Sequence, residues 1–565
     1  MKTLGPTGDW RPEELEEAGS EVLRVVAKYV GELEHTPVLP DIGAAELRAL
    51  LDDPLPQEPE RFPDIVADTE RRVLPHLTLW NHPRFFAYFP VGSSGVGAMA
   101  DLLASALNIN AMLWKTAPAA AALEQVVLRW MAEMVGYDTD ADGVLINGAS
   151  LATFYALAAA REAAGLDVRQ QGMTGRDLPR LRVYASEHAH SSIDKAVIAL
   201  GVGLDNLVKV ETGPDHRVDP ADLERLVRAD LERGYRPLAV VAVTGTTSTG
   251  AVDPVDDIAE VCRKYDMWLH VDGAYGGFYN IVPSVRERVE ALRGRLAGAD
   301  SIVVNPHKVL FTPLEVTALY SRRKGVLKRT FSLVPEYLRT YDPDEVVDPM
   351  DFSLQLGRNF RSLKVWWVIR AFGLSGLRSR MEHQLELAAW LRQQMEAHPD
   401  FETLDQMTAV ARSAQAAQAP VVASAGSAEP VTVPAATTQA SAAPAATPEA
   451  STAPAFTPYP LVCFRAFPRV WREAVNDGNA AVSPSGAYGI SREDLARAVD
   501  RLNEALLQRV NARRDHFISH TVVREGYLLR AAIGNIRVEH RHVESLWRLI
   551  QESLAELPQE LEHWL

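Results

Sequence analysis

Apolar residues recur at helical spacing near the start of the chain and later at the spacing of buried strands. In "RPEELEEAGSEVLRVVAKYVGEL" the apolar positions share one side of a helix, and acidic residues crowd its first turns, where the helix dipole favours them. "RFPDIVADTERRVLPHLTLW" predicts a second helix. It runs into "NHPRFFAYFPVGSS", which is aromatic, punctuated by proline and unusually apolar for a loop. Residues 1–90 therefore form an N-terminal helical and extended segment.

From about residue 90 to 330, short apolar runs alternate with longer helical stretches. "GVLINGAS" leads into "LATFYALAAAREAAG", "LRVYAS" into "HSSIDKAVIAL", and "PLAVVAVTG" precedes "DPVDDIAEVCRKYD". "MWLHVDGAY" and "SIVVNPHKVLFT" repeat the theme. These strands are apolar almost throughout, not at every second residue, which predicts burial on both faces. The expected class is α/β, with a mostly parallel central sheet and helices on both faces. Ligands of such sheets bind beyond the carboxyl ends of the strands.

A third region begins near 365 with the helical stretches "RSLKVWWVIRAFG" and "RMEHQLELAAWLRQQMEAH". Residues 411–457 are then nearly all Ala, Pro, Ser, Thr and Val, with Phe456 as their aromatic residue. Such a composition buries too little apolar surface to offset the entropy of ordering. It predicts a disordered surface insertion without a catalytic role. Strand "YPLVCFRAF", a helix around "REDLARAVDRLNEALLQRVNAR", strand "GYLLRAAIG" and a closing helix follow. The expected division is 1–90, a large domain over 91–364, and a small α+β domain over 365–565.

Composition narrows the partners. At 565 residues the chain exceeds one core, and its 47% hydrophobic and 23% charged content is ordinary for a globular protein. A net charge of −16 disfavours nucleic acid and anionic membrane surfaces. Cys262 and Cys463 form neither a CxxC nor a metal-type pattern, so no metal site is expected and a reducing compartment is. The polar start resembles no signal peptide, and no run has the roughly 18–20 apolar residues of a membrane span. The expected location is cytoplasmic.

The candidate chemistry sits at strand ends. Asp272 closes the strand "MWLHVD", where a carboxylate is costly unless it caps a helix or meets a cation or donor. Gly148-Ala149-Ser150 joins a strand to a helix with small residues, either a plain N-cap or a phosphate cradle. His188 and His190 lie in "ASEHAHSS", where a histidine is a structural group or a ring that stacks on a cofactor. "VTGTTSTGAVDP" offers hydroxyls or a simple turn. Lys308, 36 positions beyond Asp272, interrupts the apolar run after Asn305-Pro306-His307. Each feature has an ordinary structural reading. In this order, however, a phosphate cradle, a stacking histidine, a Thr-rich loop, a ring-nitrogen aspartate and a strand-end lysine are what pyridoxal phosphate needs. The lysine holds the aldehyde as a Schiff base, and the aspartate keeps the pyridine nitrogen protonated.

With "HPRFFAYFP", "APAAAALE", "EHAHSS", "GTTSTGAVDP", "WLHVDGAYGG", "NPHK", "LGRNFRSLKVWWVIRAFGLSGL" and "LVCFR" in sequence order, the chain resembles the group II pyridoxal-phosphate-dependent amino acid decarboxylases. It is most similar to the aromatic-L-amino-acid (DOPA, tyrosine and tryptophan) enzymes. The motifs span about residues 40–555, and only the Ala/Pro-rich insertion is foreign. The resemblance implies fold type I, the aspartate-aminotransferase-like fold, in a homodimer that shares its active sites. Its N-terminal segment would wrap the partner.

The resemblance also implies residue roles. Lys308 would carry the cofactor, Asp272 would pair with the ring nitrogen, and His190 would stack on the ring. Ala149, Ser150 and Asn305 would hold the phosphate, with Thr247, Ala274 and His307 lining the cofactor. Tyr337, in "FSLVPEYLRTYD", would protonate Cα from a mobile catalytic loop near 331–350. Related aldehyde synthases carry Phe at the tyrosine position, or Asn at the stacking histidine, so Tyr337 and His190 favour decarboxylation to an amine.

The side-chain pocket would draw on Trp80, Tyr88, Phe89, Pro90, Asn110 and Met112, and on Gly357 in the stretch "LQLGRNF" contributed by the partner, a mostly apolar set that suits an aromatic ring. Asn110 and Met112 replace the Ile and Phe of the animal enzymes, Val91 replaces a threonine, and Gly357 leaves room for an indole. Arg84 and Lys115 keep an acidic substrate open. The expected activity is decarboxylation of an aromatic L-amino acid. A glutamate, aspartate or histidine decarboxylase and an oxidative aromatic aldehyde synthase are the alternatives.

Overall fold

The apolar runs become the strands of one sheet. In the computed structural model, which describes residues 9–289, 295–333, 346–418, 458–476, 491–558 and 560–565, these are β1 (Asp142–Ile146), β2 (Leu181–Ser186), β3 (Leu207–Val210), β4 (Arg236–Val243), β5 (Trp268–Asp272), β6 (Ser301–Val304) and β7 (Thr317–Ser321). Their order is β1-β7-β6-β5-β4-β2-β3. Strand β7 runs antiparallel to β1 and β6, and every other pairing is parallel. The carboxyl ends of β1, β2, β4, β5 and β6 therefore open on one edge of the sheet.

Both faces are covered, as the unbroken apolar runs predict. Ile302 and Val304 pack into one core while Val303, between them, packs into another; Val240 and Ala242 alternate with Ala239 and Val241 in the same way. Helices α1 (Pro12–Glu32), α2 (Gly95–Leu107), α3 (Pro118–Val135) and α4 (Gly148–Ala163) precede or flank the first strands. The second helix expected in the N-terminal segment is shorter than its pattern suggests. An α-helix covers Phe62–Asp68, and tighter and wider turns follow through His76, because Pro75 has no N–H to continue the ladder.

Beyond the sheet, the two helical stretches near 365 form one element, α5 (Arg361–Ala397), interrupted where Gly373 takes φ 60° and ψ 171°. Helix α6 (Leu404–Gln418) runs into the Ala-rich stretch, so residues 411–418 are helical where disorder was expected. Alanine is the strongest helix former, and composition alone had hidden it. Residues 419–457 lie outside the described residues.

Strands β8 (Phe401–Thr403), β9 (Leu461–Ala466), β10 (Ser519–Val523) and β11 (Gly526–Ala532) make a second, antiparallel sheet in the order β10-β11-β9-β8. Helices α7 (Arg492–Ala512) and α8 (His540–Ala555) bury Leu502, Leu506, Leu546 and Ile550 against Phe464 and Leu529 of that sheet. Among the described residues, no helix is long and apolar enough to cross a membrane, and no cluster of His, Cys, Asp and Glu could hold a metal ion.

Candidate active site

Asp272 ends β5 opposite Val243 of β4 and Val303 of β6, at the centre of the sheet edge. Its carboxylate is 7% exposed, and its Oδ1 accepts the Ala274 N–H at 3.0 Å. On the next strand, Asn305 follows β6, and a helical turn over Pro306–Val309 carries His307 and Lys308. Several bonds hold that turn. Lys308 N–H donates to Asn305 O (3.1 Å), Thr317 Oγ1 donates to Asn305 Oδ1 (2.7 Å), and His307 Nδ1 lies 2.7 Å from Val316 O. Burial pushes the His307 pKa down to about 4, so its ring is neutral near pH 7.

Lys308 projects into a largely apolar setting, with Nζ 5.4 Å from the centroid of the Phe89 ring. Burial lowers its pKa, and the Asp272 charge partly counters that. A lysine with a lowered pKa is a better nucleophile toward a carbonyl. Phe89 is stacked on Tyr275, with centroids 3.8 Å apart and planes at 18°.

The β1–α4 turn has an unusual N-terminus. Gly148 takes φ +77°, and among the described residues no side chain caps the helix. Asn147 stands at the N-cap, but its Oδ1 accepts a bond from Arg361 Nη2 instead. The first amides of this 16-residue helix, around Ala149 and the exposed Ser150, thus remain available to an anion.

His190 follows β2, and its Nδ1 accepts the Ser192 N–H at 3.0 Å, which places the proton of the neutral ring on Nε2. Desolvation lowers its pKa, Asp272 raises it and Lys308 lowers it, so the ring feels both groups even though it is open to solvent. The Thr-rich loop is tied from outside the large sheet. Arg530 of β11 donates to Thr247 O (2.6 Å) and Ser248 O (3.1 Å), and its Cζ lies 5.5 Å from the Phe89 centroid. Sequence reading passed over Arg530. The available signal was an arginine inside the apolar strand "GYLLRAAIG", and here it is 3% exposed.

The residues expected to form the pocket divide into two groups. Trp80 and Tyr88 stack on each other at 5.7 Å and remain 40% and 51% exposed, whereas Phe89 and Pro90 are buried toward Lys308 and Gly534. Asn110 is engaged at both ends: Oδ1 accepts Arg358 N–H (3.0 Å) and Nδ2 donates to Met112 Sδ (3.3 Å). A Cβ added to Gly357 would meet no atom within 4 Å. Arg84 donates to Glu34 O at 2.8 Å. Tyr337 lies outside the described residues.

These residues fit pyridoxal phosphate. A buried carboxylate stands where a ring nitrogen needs one, a desolvated lysine lies on the adjacent strand exit, a neutral imidazole lies near both, and an uncapped helix start suits a phosphate.

Comparison with known proteins agrees. Residues 45–412 match the pyridoxal-dependent decarboxylase conserved domain. Tyrosine/DOPA decarboxylase 2 of Papaver somniferum is 30% identical, over 97% of this chain and 94% of its own. Phenylacetaldehyde synthase of a Rosa hybrid cultivar is 29% identical, over 96% and 94%. Oryza sativa TDC, solved with PLP and tryptamine, superposes with a TM-score of 0.77 at 29% identity, covering 97% of this chain and 98% of that one. The fold is of type I, its cofactor is pyridoxal phosphate, and the protein is a carboxy-lyase. The chain belongs to the pyridoxal-dependent decarboxylase family.

Proposed function

We propose that this protein decarboxylates an aromatic L-amino acid to its amine and carbon dioxide. The observation that carries this is the placement of Lys308 Nζ against the Phe89–Tyr275 stack, which gives the reacting centre an aromatic and apolar wall. Similarity to tyrosine/DOPA and tryptophan decarboxylases supports the same substrate class.

When bound, pyridoxal phosphate supplies the electron sink that lets the Cα–carboxylate bond break. Lys308 would hold the cofactor through its desolvated Nζ. Asp272 favours a proton on the ring nitrogen by charge. His190 would stack its ring on the cofactor, Ala149, Ser150 and Asn305 would hold its phosphate, and Thr247, Ala274 and His307 would line the remainder. Trp80, Tyr88, Phe89, Pro90, Asn110, Met112 and Gly357 would form the side-chain pocket, with the buried Phe89 and Pro90 excluding water. Tyr337 delivers a proton to Cα.

The working unit in this reading is a cytoplasmic homodimer. On α1, Leu15, Val22, Leu23, Val26 and Val30 are each 39–56% exposed, an apolar stripe suited to a second copy. Light scattering at micromolar concentration tests it, and a monomer would refute it.

A second reading, an oxidative aromatic aldehyde synthase, draws support from the similarity to phenylacetaldehyde synthase. Product analysis over the twenty amino acids, DOPA and 5-hydroxytryptophan separates the two. Amine with carbon dioxide supports decarboxylation; aldehyde with ammonia and peroxide supports the alternative.

A further inference from the structure

We propose that the buried pair Glu124–Arg358 is a positioning centre that sets the cofactor's phosphate turn and the rim of the substrate pocket together, so that the two sites are coupled. The pocket half of this rests on the function proposed above.

Among the described residues β1 is an edge strand, with β7 on one side and no strand on the other. An edge leaves backbone donors and acceptors unpaired. At Leu145 both are taken by side chains. Glu124 Oε1 accepts its N–H at 3.0 Å, and Arg358 Nη2 donates to its carbonyl at 2.7 Å. The same two atoms, Glu124 Oε1 and Arg358 Nη2, lie 2.7 Å apart. One carboxylate and one guanidinium thus stand in for a neighbouring strand just ahead of the Asn147–Ser150 turn. Arg361 adds a hold on Asn147 itself.

The backbone of Arg358 serves the other site. Its N–H donates to Asn110 Oδ1 (3.0 Å), and its carbonyl accepts Ala111 N–H (2.9 Å). Gly357 is the residue before it. One residue therefore joins both pocket segments, through its main chain, to the phosphate turn, through its side chain.

Packing alone does not account for these residues. The two side chains are 1% and 2% exposed, and Arg358 Nε and Nη1 find no acceptor among the described residues. An apolar pair would fill this space without the desolvation cost of two buried charges. What it could not do is bond Leu145 at both its N–H and its carbonyl.

The test measures cofactor affinity and substrate discrimination separately. Asn110 has no bond to the phosphate turn, so as a pocket residue alone its loss would leave pyridoxal phosphate affinity unchanged. Coupling predicts that Asn110→Ala raises the dissociation constant of the apoenzyme for pyridoxal phosphate about fivefold. Asn110→Asp, which keeps an Oδ acceptor, should restore it. In the other direction, Glu124→Gln should change the ratio of kcat/KM for tryptophan and tyrosine about fivefold. The double variant should lose less than the product of the single losses.

An Asn110→Ala protein with wild-type cofactor affinity overturns the proposal. So does a Glu124→Gln protein whose melting temperature falls while its substrate ratio stays constant. If Glu124→Gln does not fold, the Asn110 titrations decide alone. If the wild-type enzyme turns over no aromatic amino acid, the proposed function fails, and the cofactor titrations still judge the coupling.

Discussion

Phe89 lies flat on Tyr275, centroids 3.8 Å apart, and turns its ring toward two cations, Lys308 Nζ at 5.4 Å and Arg530 Cζ at 5.5 Å. The residue comes from the apolar segment before the large sheet, Tyr275 from the exit of β5, and Arg530 from the second sheet. Replacing Phe89, which is 8% exposed, by alanine should cost about 3–5 kcal/mol of stability. It should also admit water to Lys308 and reduce retained cofactor. Phe89→Leu should fall between. Denaturant melts and the cofactor absorbance per subunit check this; unchanged cofactor retention in Phe89→Ala would contradict it.

In the proposed mechanism Lys308 and Asp272 act in different ways, and their variants should fail differently. Lys308→Ala removes the covalent attachment, so borohydride should no longer tag residue 308, and turnover should fall by at least about a thousandfold. Asp272→Asn keeps the shape and removes the charge. It should cost about 10²–10³-fold in kcat with little change in substrate KM. A Lys308→Ala enzyme as fast as wild type would remove the lysine from the mechanism.

The sheet and the kind of cofactor were legible because both write themselves into local sequence. Unbroken apolar runs predicted the two covered faces on which Ile302 and Val303 now diverge, and the lysine after "NP" stood out against such a run. What stayed hidden depends on chain-distant partners. Nothing local says that Asn147 gives up capping α4 to Arg361, 214 positions away, or that Arg530 reaches 283 positions back to Thr247. Asn110 read as a pocket side chain, whereas its Oδ1 is occupied by the backbone of Arg358.

Acid should destabilise this protein earlier than its net charge suggests. Burial lowers the pKa of His82, His188, His270 and His307 to about 4 and of His516 to about 3. For each, the folded pKa is below the unfolded value near 6.5, so the unfolded chain binds more protons between them. Each contribution is full above pH 6.5 and is lost as pH falls toward 4, roughly 3 kcal/mol per fully buried ring. Asp253, raised to about 6 by burial, opposes this, since its protonated form favours the fold. Burial raises Asp142 as well, yet five histidines outweigh two aspartates, so the melting temperature should drop between pH 7 and 5. His270→Asn, which cannot titrate, should flatten the slope; a flat wild-type profile would refute the account.

The proton that completes the reaction gives the sharpest test of product. The residues flanking 334–345 are tied to the pocket rim. Ser332 Oγ donates to Asp351 Oδ1 (2.9 Å), Met350 N–H to Met112 O (2.9 Å) and Trp114 N–H to Asp348 Oδ1 (2.7 Å). Tyr337 lies in sequence between these anchors. As the proposed donor to Cα, it should be needed for amine formation but not for cofactor binding. Tyr337→Phe should therefore keep wild-type cofactor affinity while amine release falls by about 10²–10⁴-fold. With oxygen present, the product should shift to aldehyde, ammonia and peroxide. Quantifying amine and aldehyde from the same reaction decides it. A Tyr337→Phe enzyme that releases amine at the wild-type rate would assign the proton to another group, with His190 the next to test, because its proton sits on Nε2.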